Sequence, residues 1–378
     1  MNDLQPYQSD HLFLLVGANP LPNYVAAKLL LKPNGHLYLI HTDETAEVAN
    51  RLSEKLGIAS VLKIEVNEVD SSDIFEKVKK HANGKKGVGL NYTGGTKTMA
   101  VHAYRAIESA CPDPVFSYLD TRTLSMKIER GGQSTQSFPV RAEVQIDLRT
   151  LLALHGYTLQ SNKTIPFQPN VAQALAQANC TKWREWCDQH LRSGPDTPLR
   201  RREELGKVVL PSDVLGAETL DNLATHWGKR IGEVAEWLDG KWLEDYTLWA
   251  LQQVTESCHI HQTAMSIKAM SIQHQERRFE FDVAAIRGYQ LFAISCSTET
   301  RKGKLKLKLF EAYVRARQMG GDEARVGLVC CAPKNNPDSN PAAIQHEIEE
   351  AWDAQGKVRV FGAEHLPDLP AHLQDWFN

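Results

Sequence analysis

No CxxC pair occurs in the 378 residues, and no Cys/His spacing matches a zinc site. The seven cysteines, at 111, 180, 187, 258, 296, 330 and 331, are odd in number and scattered, so inert thiols in a reducing compartment are expected. No apolar run approaches the roughly 20 residues of a membrane span. The opening MNDLQPYQSD is polar and acidic, unlike a signal peptide. A cytoplasmic protein without a membrane partner is therefore expected. The chain also lacks a large charge of either sign: at −3, any binding of nucleic acid must come from local patches. Repeats and low-complexity tracts are missing too. So are both common nucleotide loops. The first apolar strand, HLFLLVG, is followed by ANPLPN, without the three spaced glycines of a dinucleotide fingerprint. In NYTGGTKTM, Thr96 separates the last glycine from Lys97, which rules out a P-loop.

What is present is ordinary for a globular protein, with 42% hydrophobic and 24% charged residues and length for two cores. Residues 11 to about 135 alternate short apolar runs with helix-like segments: LFLLVG, HLYLIHT, VLKIEVN, GVGLNYT and PVFSYLDT read as strands. The intervening helices carry recognisable ends, such as a serine cap at SSDIFEKVKKHANG and a glycine stop at Gly57. This alternation predicts βαβ units and a parallel sheet, with ligands at the carboxyl ends of its strands. Three loops lie on that rim: Gly17 to Asn23, HTDET with Thr42, and NYTGGTKTM. The last couples a strand, two glycines, hydroxyls and a lysine to a helix start, a geometry that offers backbone N–H groups to an anion. A plain strand-to-helix turn has the same composition.

Residues 146–235 read as a linker or helical insertion, rich in Gln, Trp and charge, with Arg200-Arg201-Arg202 more in keeping with a solvated surface. From 236 to 378 the texture is α/β again. RRFEFDVAAIRG and YQLFAISCST predict a hairpin with Asp282 at the end of its first strand. Alternation sets Asp282 with Glu280 on one face, and Ser295 with Ser297 on one face of the neighbour. Glu244 sits on a preceding helix, and Lys304, Lys308, Glu311 and Arg315 share one side of the following one. Carboxylates and lysines so grouped suit metal-assisted phosphodiester hydrolysis.

The 11–135 stretch, through NYTGGTKTM, resembles the CARF domains (CRISPR-associated Rossmann fold), which sense cyclic oligoadenylates. The 236–375 stretch, through GKWLEDYTLWAL, RRFEFDVAAIRGYQLF and KLFEAYVRARQMGGDEARVGLV, is similar to the PD-(D/E)xK nuclease domain fused to CARF in type III CRISPR ancillary effectors. The resemblance implies a Rossmann-like CARF domain at 1–145 and a restriction-endonuclease-like α/β domain at 236–378. It implies a homodimer that binds a cyclic oligoadenylate, tetra-adenylate first, and cuts nucleic acid with Mg²⁺ or Mn²⁺. By the same resemblance Asn19, Pro20, Thr93, Gly94, Gly95, Thr96 and Lys97 would line the ring site, with Gly17, Asn23 and Thr42 beside them on the rim. Glu244 and Asp282 would hold the metal. Ser295-Cys296-Ser297 stands where the family carries ExK. Either Lys304 or Lys308, with Glu299 or Glu311, takes over, and the five basic residues from Arg301 to Lys308 contact phosphates, or the domain is a catalytically degenerate binding module.

Overall fold

The computed structural model describes residues 3–211, 219–336 and 339–378. Its first half runs β1 (Ser9–Leu15), α1 (Leu21–Leu30), β2 (Leu31–His41), α2 (Ala46–Leu56), β3 (Val61–Glu65), α3 (Ser71–Ala82), β4 (Val88–Asn91), α4 (Lys97–Ala110), β5 (Val115–Asp120), β6 (Ser125–Arg130) and β7 (Gln136–Pro139). The strands form one sheet in the order β3-β2-β1-β4-β5-β6-β7, parallel from β3 to β5, with β6 and β7 antiparallel at the edge. The continuous apolar run of β1 follows from burial on both faces: Leu12 and Leu14 enter one core cluster, Phe13 and Leu15 another. Strand order reverses between β1 and β4, so the loops that follow them flank a crevice at the topological switch point. Asp70, not the expected serine, caps α3, its carboxylate accepting from the N–H groups of Ser72 and Asp73.

The second half runs α5 (Leu148–Leu154), β8 (Tyr157–Lys163), α6 (Pro169–Gln177), α7 (Cys180–His190), α8 (Arg202–Leu205), α9 (Leu220–His226) and α10 (Ile231–Glu236). A π turn, Trp237–Lys241, leads into α11 (Trp242–Gln253). Then come β9 (Gln262–Ser271), β10 (Arg278–Arg287), β11 (Gln290–Ser297), α12 (Lys302–Gly320), β12 (Arg325–Cys330), α13 (Pro341–Trp352), β13 (Val358–Phe361) and α14 (Leu369–Phe377). The sheet order is β13-β12-β11-β10-β9-β8, antiparallel from β8 to β11 and parallel from β11 to β13.

The segment 146–235 is more than a linker. Its β8 is the edge strand of this second sheet, and Leu175, Trp183 and Leu223 share a core with Trp242 and Leu248 of α11. Residues 212–218 of that segment lie outside the described residues. Arg184 and Arg192 of the insertion close on Asp239 in the π turn, and Arg184 also donates to the Thr298 hydroxyl at 3.2 Å. Cys180 and Cys331, expected as free thiols, are joined as a disulfide with Cα atoms 5.6 Å apart, while the other five cysteines are free and buried.

The two sheets meet through a common core that links Leu21 and Val25 to Leu151, Tyr289 and Met319. Arg51 donates to the Leu154 carbonyl at 3.0 Å, and the Ile146 amide to the Gly288 carbonyl at 3.0 Å. Among the described residues no helix is long and apolar enough to cross a membrane.

Candidate functional site

At the switch point the two loops interlock backbone to backbone. A Cβ on Gly94 would stand 2.2 Å from the Leu15 carbonyl oxygen, and one on Gly17 would stand 3.0 Å from the Gly95 nitrogen. These glycines therefore serve loop-on-loop approach, whereas the sequence suggested approach of backbone to ligand. Gly95 alone adopts a left-handed conformation, at φ +73°. Asn23, fully buried, donates to the Leu15 carbonyl at 2.9 Å and braces the same junction.

The hydroxyls are mostly engaged. Thr96 caps α4 by accepting from the Met99 N–H at 3.2 Å, and Thr93 accepts from the Leu119 N–H at 2.7 Å. Thr42 pairs with Thr45 at 3.2 Å in the turn after β2. Pro20 is buried at the start of α1. Asn19 turns towards the second half of the chain: its Oδ1 accepts from the Leu21 N–H at 3.1 Å and lies 3.2 Å from His155 Nε2, and its amide nitrogen rests against Gly321. What remains for an anion is the first turn of α4, whose leading N–H groups have no intrahelical acceptor, and the exposed Lys97, which among the described residues pairs with no carboxylate.

The second constellation gathers on β9, β10, β11 and α11. Asp282 lies in mid-strand, a correction to its expected place at a strand end. The Ser295 hydroxyl donates to Asp282 Oδ2 at 2.9 Å and the Cys296 N–H to the same oxygen at 2.8 Å. Among the described residues no hydrogen bond reaches Oδ1. On the other flank, Ser266 interrupts β9 with φ +48°. A non-glycine residue in that region marks local strain, here tied to a polar contact: the Ser266 hydroxyl donates to Glu244 Oε2 at 3.2 Å. Glu244 belongs to the first turn of α11, and burial, then the charge of Asp282, push its carboxyl up to about 7. Two repelling carboxylates with hard oxygen donors fit a small divalent cation, which binds readily through one or two carboxylates plus substrate oxygens. Among the described residues no group of three or more His, Cys, Asp or Glu side chains could hold a metal.

Of the two helix lysines, the structure brings Lys308 in and leaves Lys304 out. Lys308 Nζ reaches the Cys296 carbonyl at 3.4 Å and shares with Asp282, Ser295, Glu311 and Arg315 a groove of about 640 Å³. Lys304 is held by Asp196 and, at 3.6 Å, by Glu299. Glu299 opposes its own burial with Arg301 and two backbone amides, which hold its carboxyl near 2. Ser297 accepts from the Glu299 N–H at 3.3 Å.

The basic run is likewise corrected. Arg301 pairs with Asp196 and Glu299, and Lys302 and Lys306 share Glu347, so four of the five cations are neutralised within the chain. The sequence reading missed Ser266, whose strained backbone has no sequence signature. It also missed Lys241, which helix spacing sets beside Glu244.

The raised carboxyl of Glu244 has a measurable consequence. Below its ordinary value of 4.5 the group is protonated in folded and unfolded chains alike. Between there and about 7 the unfolded chain releases the proton while the folded chain keeps it, so stability falls as pH rises through this window. In metal-free buffer Glu244→Gln should melt above the parent by a margin that grows from pH 5 to pH 8, to about 3 kcal/mol. Equal margins at both pH values would contradict the assignment.

No family model and no curated protein matches the chain. Solved structures do. The chain is similar to the protein VC1899 from Vibrio cholerae at 18% identity, over 97% of this chain and 98% of that one, with a TM-score of 0.72. It is similar to Can2 from Sulfobacillus thermosulfidooxidans, solved in complex with cyclic tetra-adenylate, at 17% identity over 100% and 99%, with a TM-score of 0.70. A type III CRISPR defence DNA nuclease activated by cyclic oligoadenylate matches 87% of this chain through 47% of its own length, at 19% identity and a TM-score of 0.52. At these identities the likeness is one of fold: a Rossmann-like domain followed by a second α/β domain, shared end to end with the first two.

Proposed function

We propose, from that shared two-domain fold, that the chain is a cyclic-oligoadenylate sensor governing a metal-dependent endonuclease in type III CRISPR defence. The observation that carries the reading is the Glu244–Asp282 pair, in which the Glu244 carboxyl is raised by burial and by the charge of Asp282, which itself lines a lysine-bearing groove. Support for the ligand comes from the neighbours: Can2 was solved with cyclic tetra-adenylate, and the defence nuclease is described as activated by cyclic oligoadenylate. Tetra-adenylate is accordingly the first ring to test. A ring of repeating phosphates suits a two-fold axis, so a homodimer would present two α4 first turns and two Lys97 side chains to one ligand. Ring binding would favour the dimer arrangement that brings the nuclease domains to the substrate.

Glu244 and Asp282 would hold Mg²⁺ or Mn²⁺, which when bound supplies Lewis acidity to the scissile phosphate and acidity to a water. Ser295 and the Cys296 N–H fix the Asp282 carboxylate through Oδ2, which leaves Oδ1 to be offered to the cation. Lys308, steadied on the Cys296 carbonyl, stands in for the missing strand lysine, orienting the nucleophile and meeting the charge on the phosphate. Backbone contacts of this kind imply low sequence preference, on single-stranded RNA or DNA or in nicking of supercoiled DNA.

One observation favours a second reading. Ser295 and Ser297 replace the usual strand acid and lysine, which suits a sensor whose nuclease fold has become a binding module. Calorimetric titration with tetra- and hexa-adenylate rings, then cleavage with Mn²⁺ under the better binder, separates the two. Ring binding without any cleavage selects the sensor, and no ring binding removes both readings.

A further inference from the structure

A second cavity of about 680 Å³, which Glu244 also lines, opens between the 163–167 segment, the turn before α10 and the start of α11. Lys163, Phe167, Lys229, Trp237, Glu244 and Ser266 are among its lining. Phe167 is braced from behind: its ring meets Trp227 edge-on at 5.5 Å and Trp237 at 6.4 Å, and its N–H donates to the buried Asp245 carboxylate at 3.0 Å. Trp237 Nε1 donates to the other oxygen of that carboxylate. The ring is thereby fixed, yet 36% of the residue stays exposed, and Lys229 Nζ stands 5.2 Å from its centre. Among the described residues neither Lys163 nor Lys229 closes an ion pair, in contrast to Arg230 and Lys241, which are bound to Glu233 and Glu236. With most of the α12 cations neutralised internally, these two lysines are the ones left beside Glu244 in this cavity.

A braced aromatic ring, two cations outside any ion pair among the described residues and a wall shared with Glu244 suit an unpaired nucleotide: its base takes the place over the ring that Lys229 now holds, and the lysines meet the phosphates on either side of it. A duplex hides its bases and cannot use such a face. We propose that this cavity is a substrate subsite that takes one unstacked nucleotide of a single-stranded nucleic acid, with its base on Phe167 and its flanking phosphates on Lys163 and Lys229. The strand then runs past Glu244 and Asp282 into the Lys308 groove. The insertion at 146–235, together with the turn before α10, is on this account the part of the enzyme that selects single strands. The inference rests on the nuclease reading above.

The test uses the full chain, with fluorescein-labelled single-stranded DNA and RNA of mixed sequence and the matching duplex, in EDTA so that binding is read without cleavage. The paired change Lys163→Gln with Lys229→Gln should weaken single-strand binding about tenfold and flatten the dependence of log K on log salt by about 1.4, two phosphates' worth. Phe167→Ala should weaken it about tenfold without changing the salt slope, and Phe167→Trp should restore it, a pattern that a merely structural role would not give. Under ring and Mn²⁺ the same variants should raise KM by those factors and leave kcat unchanged. Variants that bind with parental affinity and slope, while the parent binds and cuts single strands, overturn the subsite alone. A parent that binds no strand at all overturns the nuclease reading and the subsite with it.

Discussion

Asp282→Asn should reduce ring-triggered cleavage by about 10³-fold, the loss typical when a preorganised charge aimed at a reacting phosphate is removed, while ring affinity and melting temperature stay near the parent's. The amide keeps an oxygen for the Ser295 hydroxyl and the Cys296 N–H, so the local hydrogen bonds survive and only the charge goes. Asp282→Ala should lose as much activity and some stability besides, because two buried donors then lack an acceptor. The contrast with the neighbouring polar residues makes the expectation sharp. Ser297→Ala removes only an acceptor for the Glu299 N–H and should leave cleavage within a few-fold of the parent. Lys308→Ala should cost about 10²-fold, whereas Lys304, tied to Asp196 and Glu299, should be replaceable with little effect. Parental cleavage by Asp282→Asn would show that no cation acts there. Equal losses at Lys304 and Lys308 would show that α12 meets the substrate differently from the arrangement described.

The parallel part of the first sheet was legible because its central strands β1 and β4 are largely buried and read as apolar runs, and short helix-like segments separate all five strands. The hairpin of β10 and β11 was legible for a local reason too, a two-residue turn with Gly288 at φ +62°. β8 was not. Its residues YTLQSNK are largely exposed, and its partner β9 lies about a hundred residues further on, so neither pattern nor proximity announced a strand. The π turn at Trp237–Lys241 escaped because a local change of helical hydrogen bonding has no composition of its own.

The site divides along the same line. Asp282, Ser295 and Glu244 were proposed from strand alternation and family resemblance; a hydrogen bond joins Ser295 to Asp282, while Glu244 bonds to Ser266 and feels the charge of Asp282. In the basic stretch from Arg301 to Lys308 the partners of four of the five cations were hidden: apart from the adjacent Glu299, the carboxylates concerned, Asp196 and Glu347, are 41 to 108 residues away along the chain. A charge run shows its sign in sequence but not its counter-ions. Asn19 had its partners hidden in the same way. It stands on the rim, but its Oδ1 meets His155 and its amide nitrogen lies against Gly321, contacts formed only once the two sheets pack together.

The glycine junction yields the second large expectation. Gly94→Ala adds a Cβ 2.2 Å from the Leu15 carbonyl oxygen, 3.1 Å from the Gly17 nitrogen and 3.2 Å from Asn23 Oδ1. Two of those three neighbours are backbone atoms of β1 and its exit, and the third belongs to a fully buried side chain that already bonds Leu15, so no flexible group can swing aside. One loop must move bodily. The expected cost in stability is about 2–3 kcal/mol, that of an overpacked core position. Ring affinity should fall by about 10²-fold, since the first turn of α4 is displaced with the loop that leads into it. Gly17→Ala, with its new atom 3.0 Å from the Gly95 nitrogen, meets a milder clash and should show both effects at smaller size. Lys97→Ala supplies the complementary case: it removes a solvent-facing charge, so affinity should drop about tenfold with melting unchanged. Thermal melts and calorimetric ring titrations on the three variants would separate cradle geometry from charge. If Gly94→Ala melted and bound like the parent, the interlock of the two loops would not be what shapes the ring site, and the anion would have to be held elsewhere on the rim.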